Sequence, residues 1–193
     1  MTPTRKIIVH IATSADGYIA RPDGSLDWLT NRPAPKGFYG LPEFARTVDA
    51  RILGRKTFDF SVRMGAAFSG HDVHYVFSRR PAPTRLPAGV EFVSGSIRSF
   101  VQRLRRTPGR NVWLMGGGEI IASFLDVGAI DEFVITVVPM FIGDGIPLIA
   151  PRHLDVPLRL VAATPFSNGV VQLHYRVAPM RETRATRPRT RAR

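Results

Sequence analysis

The stretch Trp113-Leu114-Met115-Gly116-Gly117-Gly118-Glu119-Ile120-Ile121 decides how this chain is to be read. A short apolar run ends in three glycines, and a helical pattern starts at once. Unpaired N–H groups at a helix start lie at the positive end of the helix dipole, so they attract an anion. Glycine lets a ligand touch the main chain with no Cβ in the way. A phosphate or diphosphate is the natural guest. A tight strand-to-helix turn that holds nothing looks the same in sequence, because glycine-rich loops are common.

Upstream, Arg51 to Leu53 reads as a short strand, and Gly54-Arg55-Lys56-Thr57 opens a helix behind it. This is a second strand–glycine–helix junction. Lys6 to Thr13 reads as a buried strand, since Ile7, Ile8, Val9 and Ile11 leave little room for a solvent face. Ser14 to Asp27 is a turn-rich loop with Asp16-Gly17 and Asp23-Gly24. Leu41 to Thr47 is a short helix opened by Pro42. His74 to Ser78 and Val90 to Val93 are strands. Ser96 to Arg106 is an amphipathic helix with Ile97, Phe100, Val101 and Leu104 on one face. Asn111 to Met115 is a strand, Glu119 to Val127 a helix, and Glu132 to Pro139 a strand. Leu158 to Phe166 and Val170 to Val177 pair as a hairpin through Asn168-Gly169.

Strands alternate with helices until about residue 139. The pattern predicts an α/β fold: a three-layer αβα sandwich whose central sheet, of about eight strands, is mostly parallel and ends in an antiparallel hairpin. Ligands of such sheets sit beyond the carboxyl ends of the strands. The loops at Ser14–Asp27, Gly54–Thr57, Ser78–Arg80 and Gly116–Glu119 converge there. Two glycine corners suit a dinucleotide diphosphate. Ser78, Arg79 and Arg80 add a hydroxyl and two guanidiniums, which match a phosphate monoester such as the 2′-phosphate of NADP. Two charge-assisted contacts at ~1.5–3 kcal/mol each favour NADPH over NADH by about 10² to 10⁴. A Rossmann fingerprint fails, because Ile121 stands where the third glycine belongs. A P-loop fails for lack of Gly-Lys-Ser/Thr.

These residues carry a resemblance. Ile8 to Ala20, with Ser14-Ala15-Asp16-Gly17-Tyr18-Ile19-Ala20, resembles the first strand and loop of the reductase domain of the bacterial riboflavin-biosynthesis deaminase-reductase, which shares a superfamily with dihydrofolate reductase. Ile52-Leu53-Gly54-Arg55-Lys56-Thr57 is similar to the cofactor-binding segment of dihydrofolate reductases. Gly116-Gly117-Gly118-Glu119 and Phe141-Ile142-Gly143-Asp144-Gly145-Ile146-Pro147-Leu148-Ile149 complete the match. The resemblance implies an NADPH-dependent reductase of a small heterocycle, such as a ribosylaminopyrimidine or a pterin, working as a homodimer. It implies that Ala12 contacts the nicotinamide carboxamide through its backbone. Asp16 to Ala20, including Gly17, would close over the nicotinamide, with Ile19 packing on it. Gly54, Arg55, Lys56 and Thr57 would bind diphosphate, with Met115, Gly116, Gly117, Gly118, Glu119, Ile120 and Ile121 wrapping its other side. Phe77, Ser78 and Arg79 would hold the adenosine end.

The chain departs from both relatives. Glu43 does not fall into the register of the pterin-binding carboxylate of dihydrofolate reductases. Gly116 stands where many riboflavin-pathway reductases have glutamate. There is no deaminase domain and no zinc motif.

Reducing C=N or C=O needs a proton as well as a hydride. Asp27, beside Trp28, and Asp16 are the candidate catalytic acids, with Trp28 as a wall of the substrate pocket. Asp16 also reads as a turn-former before Gly17, and Glu119 as a favourable first-turn charge. The five histidines have no metal-ligand spacing, so no metal is expected.

The 193 residues contain no cysteine, which excludes disulfides and thiolate metal sites. No apolar run is long enough for a membrane span, and none resembles a signal peptide, so a cytoplasmic protein is expected. Of the net charge of +12, six arginines against one acid lie in the last thirteen residues, and the remaining body is basic by about seven charges spread over several segments. A reductase domain over 1–178 and a disordered arginine-rich tail over 179–193 follow. Specific nucleic-acid binding is not expected; weak polyanion adhesion of the tail is. The competing functions are a dihydrofolate or pterin reductase, a non-catalytic NADPH binder and a basic polyanion-binding protein.

Overall fold

The computed structural model describes residues 5–66, 68, 72–153 and 155–179. The expected arginine-rich tail therefore lies almost entirely outside the described residues.

Eight strands form one sheet: β1 (Ile7–Ser14), β3 (Val48–Gly54), β4 (Val73–Phe77), β5 (Val90–Val93), β6 (Asn111–Gly116), β7 (Glu132–Val138), β9 (Leu158–Pro165) and β10 (Val171–Val177). Their order is β5-β4-β3-β6-β1-β7-β10-β9. Pairing is parallel from β5 through β7. It is antiparallel where β10 meets β7 and β9. The expected parallel sheet with an antiparallel edge is the observed one.

Period-two alternation sorts the side chains between two faces. On one face Ile7, Val9, Ala50, Ile52, Val112, Leu114 and Phe133 form the main core. Helix α4 (Ile97–Arg106) adds Phe100, Val101 and Leu104, and α5 (Gly118–Asp126) adds Ile120, Ile121, Phe124 and Leu125. The Ser96 hydroxyl accepts the Ser99 N–H at 3.4 Å and caps α4. Helix α3 (Arg55–Arg63) lies on the other face, where Phe58 packs with Val76 and Val90. Two shorter helices, α1 (Asp27–Thr30) and α2 (Leu41–Ala45), complete that layer.

Phe44 of α2 stacks on His10 of β1 with ring centroids 4.5 Å apart, and Trp113 meets both rings edge-on. The Trp113 indole donates to the His10 carbonyl oxygen at 2.9 Å. Burial pushes the His10 imidazole down to about 4, so it is neutral at pH 7.

Three expectations shift. The helix expected over Leu41–Thr47 ends at Ala45, because Val48 and Ala50 are drawn into the ladder with β6. The loop expected over Ser14–Asp27 contains β2 (Tyr18–Ala20), paired with β8 (Ile146–Pro147) in a separate two-stranded sheet. It also reaches into α1. Among the described residues, no helix is long and apolar enough to cross a membrane.

Phe124 is fully buried and meets Phe77 at a centroid distance of 5.3 Å. Phe124→Ala is expected to cost about 3–5 kcal/mol in urea unfolding. The His10 ring predicts a pH dependence. Its folded pKa lies below the unfolded value, so the unfolded chain binds the extra proton between them. The stabilisation is complete above pH 6.5 and is lost as pH falls toward 4. Unfolding at pH 7 and pH 4 should show the native chain losing on the order of 3 kcal/mol more than His10→Phe. Parallel losses in the two proteins would mean that the ring is not held neutral.

Candidate functional site

The carboxyl ends of β4, β3, β6 and β1 lie side by side. Gly54 pairs with Phe77, and Leu53 pairs with Gly116. The two glycine corners are therefore neighbours. At about 4.8 Å per strand, the four ends span roughly 14 Å. Along that line stand Ser78-Arg79, then Gly54–Thr57, then Gly116–Ile120, then the loop after Ser14.

Neither α3 nor α5 has a side-chain cap at its start, with Gly54 and Gly117 in the capping positions. Gly116 adopts φ +111°, a conformation that other residues rarely take, and its peptide with Gly117 is cis. A Cβ built on Gly117 would meet only Ile19 Cδ1 and Thr57 Oγ1, each at 3.6 Å. The main chain here therefore lies in ordinary contact distance of a hydroxyl and an apolar group from two other loops. Gly118 differs. A Cβ there would overlap the Pro147 carbonyl oxygen, and its own carbonyl accepts the Ala150 N–H at 3.2 Å. Packing against the 147–150 segment already requires that glycine.

The other expected contacts divide. Lys56 and Arg79 are exposed, and neither forms an ion pair among the described residues. Arg55 is engaged by Asp59 at 2.8 Å and by the Pro81 carbonyl at 3.2 Å. The Ser78 hydroxyl accepts the Arg80 N–H at 3.0 Å and donates to the Arg80 carbonyl at 2.8 Å. The Phe77 ring is packed on Phe100 and Phe124, so only its backbone faces the edge. The Glu119 carboxylate turns to Arg152 at 3.3 Å and to solvent. Ile120 lies against Gly54, its Cγ2 3.6 Å from where a Cβ would stand. Ala12 and Met115 are half-buried. Gly17 closes a turn with the Ser14 carbonyl, and its own carbonyl accepts the Leu148 N–H.

The two candidate acids meet a physical obstacle. The Asp16 carboxylate accepts the N–H groups of Gly143 at 2.8 Å and Ile142 at 3.1 Å. The Ser14 hydroxyl and these amides hold its carboxyl below the usual range. Asp27 forms a two-pronged pair with Arg21 at 2.6 and 3.1 Å, and that guanidinium likewise lowers its carboxyl. Both groups are held ionised, the wrong state for donating a proton. Trp28 is 2% exposed and packs with Val138 and Val170, so it belongs to a small core and not to a pocket wall. Its indole nitrogen has no hydrogen-bond partner among the described residues.

Sequence reading missed a second feature. A cavity of about 230 Å³ lies between the sheet and α2. Its floor is His10, Val134, Ala162, Thr164, Gln172 and His174, and its roof is Tyr39, Gly40 and Phe44. The Gln172 amide donates to the Tyr39 carbonyl at 3.0 Å and to the Thr136 hydroxyl at 3.1 Å. His174 Nε2 lies 3.0 Å from Glu132. Burial opposes ionisation of Glu132, but Lys6 and His174 outweigh it and hold the carboxyl below its usual range. The roof is bent backwards, with Phe38 at φ +45° and Tyr39 at φ +58°. Two such residues cost about 1–3 kcal/mol each. Asn168 donates to the Tyr39 hydroxyl at 2.7 Å, and Phe166 meets the ring edge-on at 5.0 Å. The available sequence signal was the alternation Gln172, His174 on one face of a strand that otherwise reads as apolar.

The RibD C-terminal domain model matches residues 5–172. The uncharacterized protein YwjB of Bacillus subtilis (strain 168) is 40% identical over 172 residues, covering 89% of this chain and 97% of that one. The crystal structure of a "Putative riboflavin biosynthesis protein" from Shewanella sp. PV-4 superposes with a TM-score of 0.75 at 31% identity, covering 90% of this chain and 99% of that one. Dihydrofolate reductase from Enterococcus faecalis, complexed with NADP(H), shares the fold, with a TM-score of 0.63 at 15% identity over 89% of this chain and 96% of that one. A parallel sheet of this order, the paired glycine corners and a match over most of its length place this chain in the RibD C-terminal domain family.

Proposed function

We propose that this protein is an NADPH-dependent reductase of a small heterocycle, similar in chemistry to the reductase of riboflavin biosynthesis. One observation carries the reading: Gly117 lies between Thr57 and Ile19, with two uncapped helix starts on neighbouring strands beside it. A diphosphate suits this edge, since the main-chain amides of two helix starts and the Thr57 hydroxyl lie together there. Arg79 and Lys56 supply uncommitted positive charge toward the 2′-phosphate end. Ala12 and Ile19 border the nicotinamide end.

When bound, NADPH supplies a hydride, and with one proton it converts C=N to CH–NH or C=O to CH–OH. The protein's own part is placement. Asp16 anchors the 142–143 backbone, and through it the loop that carries Ile19. Asp27 does the same for the Arg21 turn. In this reading both act on loop position, and the proton comes from another group or from water. Homodimerisation belongs to the same reading. Its support is the edge strand β9, every residue of which is exposed, with Leu158, Leu160 and Val161 at the surface. A folate reductase is disfavoured, because among the described residues no carboxylate lines the cavity beside β1, and Glu43 is exposed and faces Arg46.

Titration of the purified protein with NADPH, followed by nicotinamide fluorescence, should show saturable binding. Gly117→Asp should fold and lose at least 100-fold in affinity, because it sets a carboxylate where the diphosphate belongs. Unchanged affinity would move the cofactor elsewhere. Arg79→Ala should shrink the preference for NADPH over NADH by about 2 kcal/mol, roughly 30-fold. An unaltered preference would remove Arg79 from the 2′-phosphate.

A further inference from the structure

Cations gather at the sheet edge opposite the glycine corners. The eight residues of β1 set the two edges roughly 23 Å apart, at about 3.3 Å per residue. The last turn of α4 carries Arg103, Arg105 and Arg106. It lies at this far edge, because Arg105 reaches Asp131, just before β7. Arg5 and Lys6 precede β1 there, and Arg110 precedes β6. In the hairpin, Arg159 of β9 stands opposite Arg176 of β10, which stands opposite Glu132 at the start of β7.

Most acids of this edge are already engaged. Asp49 holds Arg5 and accepts the Arg110 N–H at 2.8 Å. Asp72 holds Arg51 at 2.8 Å. Asp131 holds Arg105 at 2.9 Å and accepts the Ile7 N–H at 2.8 Å. Glu132 takes Lys6 at 2.8 Å, His174 at 3.0 Å and Arg176 at 3.8 Å. Arg98, Arg103, Arg106, Arg110 and Arg159 are exposed, and none pairs with an acid among the described residues. Arg103 and Arg106 are neighbours on the helix surface, and Gln102 links Arg106 to Arg98 along one row. Arg103 rests on the Phe100 ring at 5.6 Å. Glu91 of β5 and Asp155, shortly before β9, are exposed acids with no cation partner among the described residues. A cation in the last turn of a helix is favourable by itself. Here the free guanidiniums outnumber the free acids and share one side of the molecule.

The chain leaves the described residues at the same place. The Val177 N–H donates to the Asp131 carbonyl oxygen at 2.9 Å, and the Ala178 N–H to the Pro157 carbonyl oxygen at 2.9 Å. Asp131 is also the residue that holds Arg105 of α4. Beyond it, residues 181–193 are arginine, threonine, alanine and proline with the single acid Glu182. We infer that the last turn of α4, Arg110 and this C-terminal stretch form one surface that holds the phosphodiester backbone of a double-stranded nucleic acid without reading its bases. Every free cation named here is an arginine, whose planar fork matches phosphate oxygens. Contacts to the backbone alone carry no sequence information. The exposed aromatic side chains of the described residues, Phe38 and Phe141, lie elsewhere. A single strand would use aromatic rings for stacking. Residues 181–193 hold no aromatic or large aliphatic side chain, which docking on a lipid surface would use. The inference does not depend on the reductase reading, and the distance between the two edges lets nucleic acid and cofactor bind together.

The test follows the anisotropy of a fluorescein-labelled DNA duplex of about 20 base pairs and arbitrary sequence as the full chain is added, at several salt concentrations from about 50 mM upward. The duplex should bind saturably, and a second duplex of unrelated sequence should bind within twofold of it. The logarithm of the affinity should fall linearly with the logarithm of salt. The full chain carrying Arg103→Gln, Arg106→Gln and Arg110→Gln together, checked for fold by near-UV circular dichroism, should bind at least tenfold more weakly at the lowest salt. Its salt slope should be shallower by about 1.8 to 2.7, the share of two or three lost phosphate contacts. Arg63→Gln with Arg85→Gln, which removes exposed arginines from α3 and the loop after β4, should change affinity less than twofold. No saturable binding of the duplex would overturn the inference. An unchanged affinity in the triple variant would do so as well, since it would leave the C-terminal stretch acting alone. Equal binding to polyglutamate would point to an acidic protein, and equal binding to phosphatidylserine vesicles to a membrane; either result sinks the assignment. Displacement of the duplex by NADPH would place it on the cofactor edge and overturn it too.

Discussion

The parallel ladder between β3 and β6 is the constraint on which the rest depends. Leu53 lies opposite Gly116, so the two strands end at one level. Each strand then turns directly into a helix through an uncapped glycine. Helix dipoles act over about one turn. Two helix starts on adjacent strands are close enough to act on one ligand; on strands at opposite edges of the sheet they would not be. A register slip of one residue would turn every side chain of β3 to the wrong face and separate the corners.

The two faces of the sheet do different work. The face under α4 and α5 is sealed by Ile7, Val9, Ile52, Leu114, Phe124 and their neighbours. The opposite face carries His10, Thr136, Gln172 and His174 in the middle of its strands, where burial of polar groups is costly unless they are satisfied. Some of them are paired with one another and with the roof: Gln172 reaches Tyr39 and Thr136, and His174 reaches Glu132. Strained residues at Phe38 and Tyr39 are held by Asn168 and Phe166.

Asp16 shows how long-range contacts change the reading of a candidate catalytic residue. In sequence it precedes Gly17 after the first strand, where a carboxylate could serve chemistry or a turn. In three dimensions it reaches residues 142–143, far along the chain. The small β2–β8 sheet joins the same two segments. Together they lock the Ile19 loop against the segment that packs on Gly118.

Much was legible in the residues themselves. Val/Ile runs, the Asn168-Gly169 turn and glycines after strands revealed the alternating architecture, because hydrophobic period and turn chemistry are local. They also placed the two glycine corners together at the carboxyl ends of neighbouring strands, because strand ends in such sheets converge. What stayed hidden depended on partners far apart in sequence. The β2–β8 pair is two or three residues long, with no periodicity to detect. Asp27, Asp16 and Trp28 looked exposed to chemistry until their partners Arg21, Gly143 and Val170 were seen. The cavity takes its lining from β1, β7, β9, β10, α2 and the turn before α2, and no window of sequence contains them together. The chain alone determined which segments are strands and which loops hold glycine; only the tertiary structure decided which polar groups share one space, because that choice is made by strand register across the sheet.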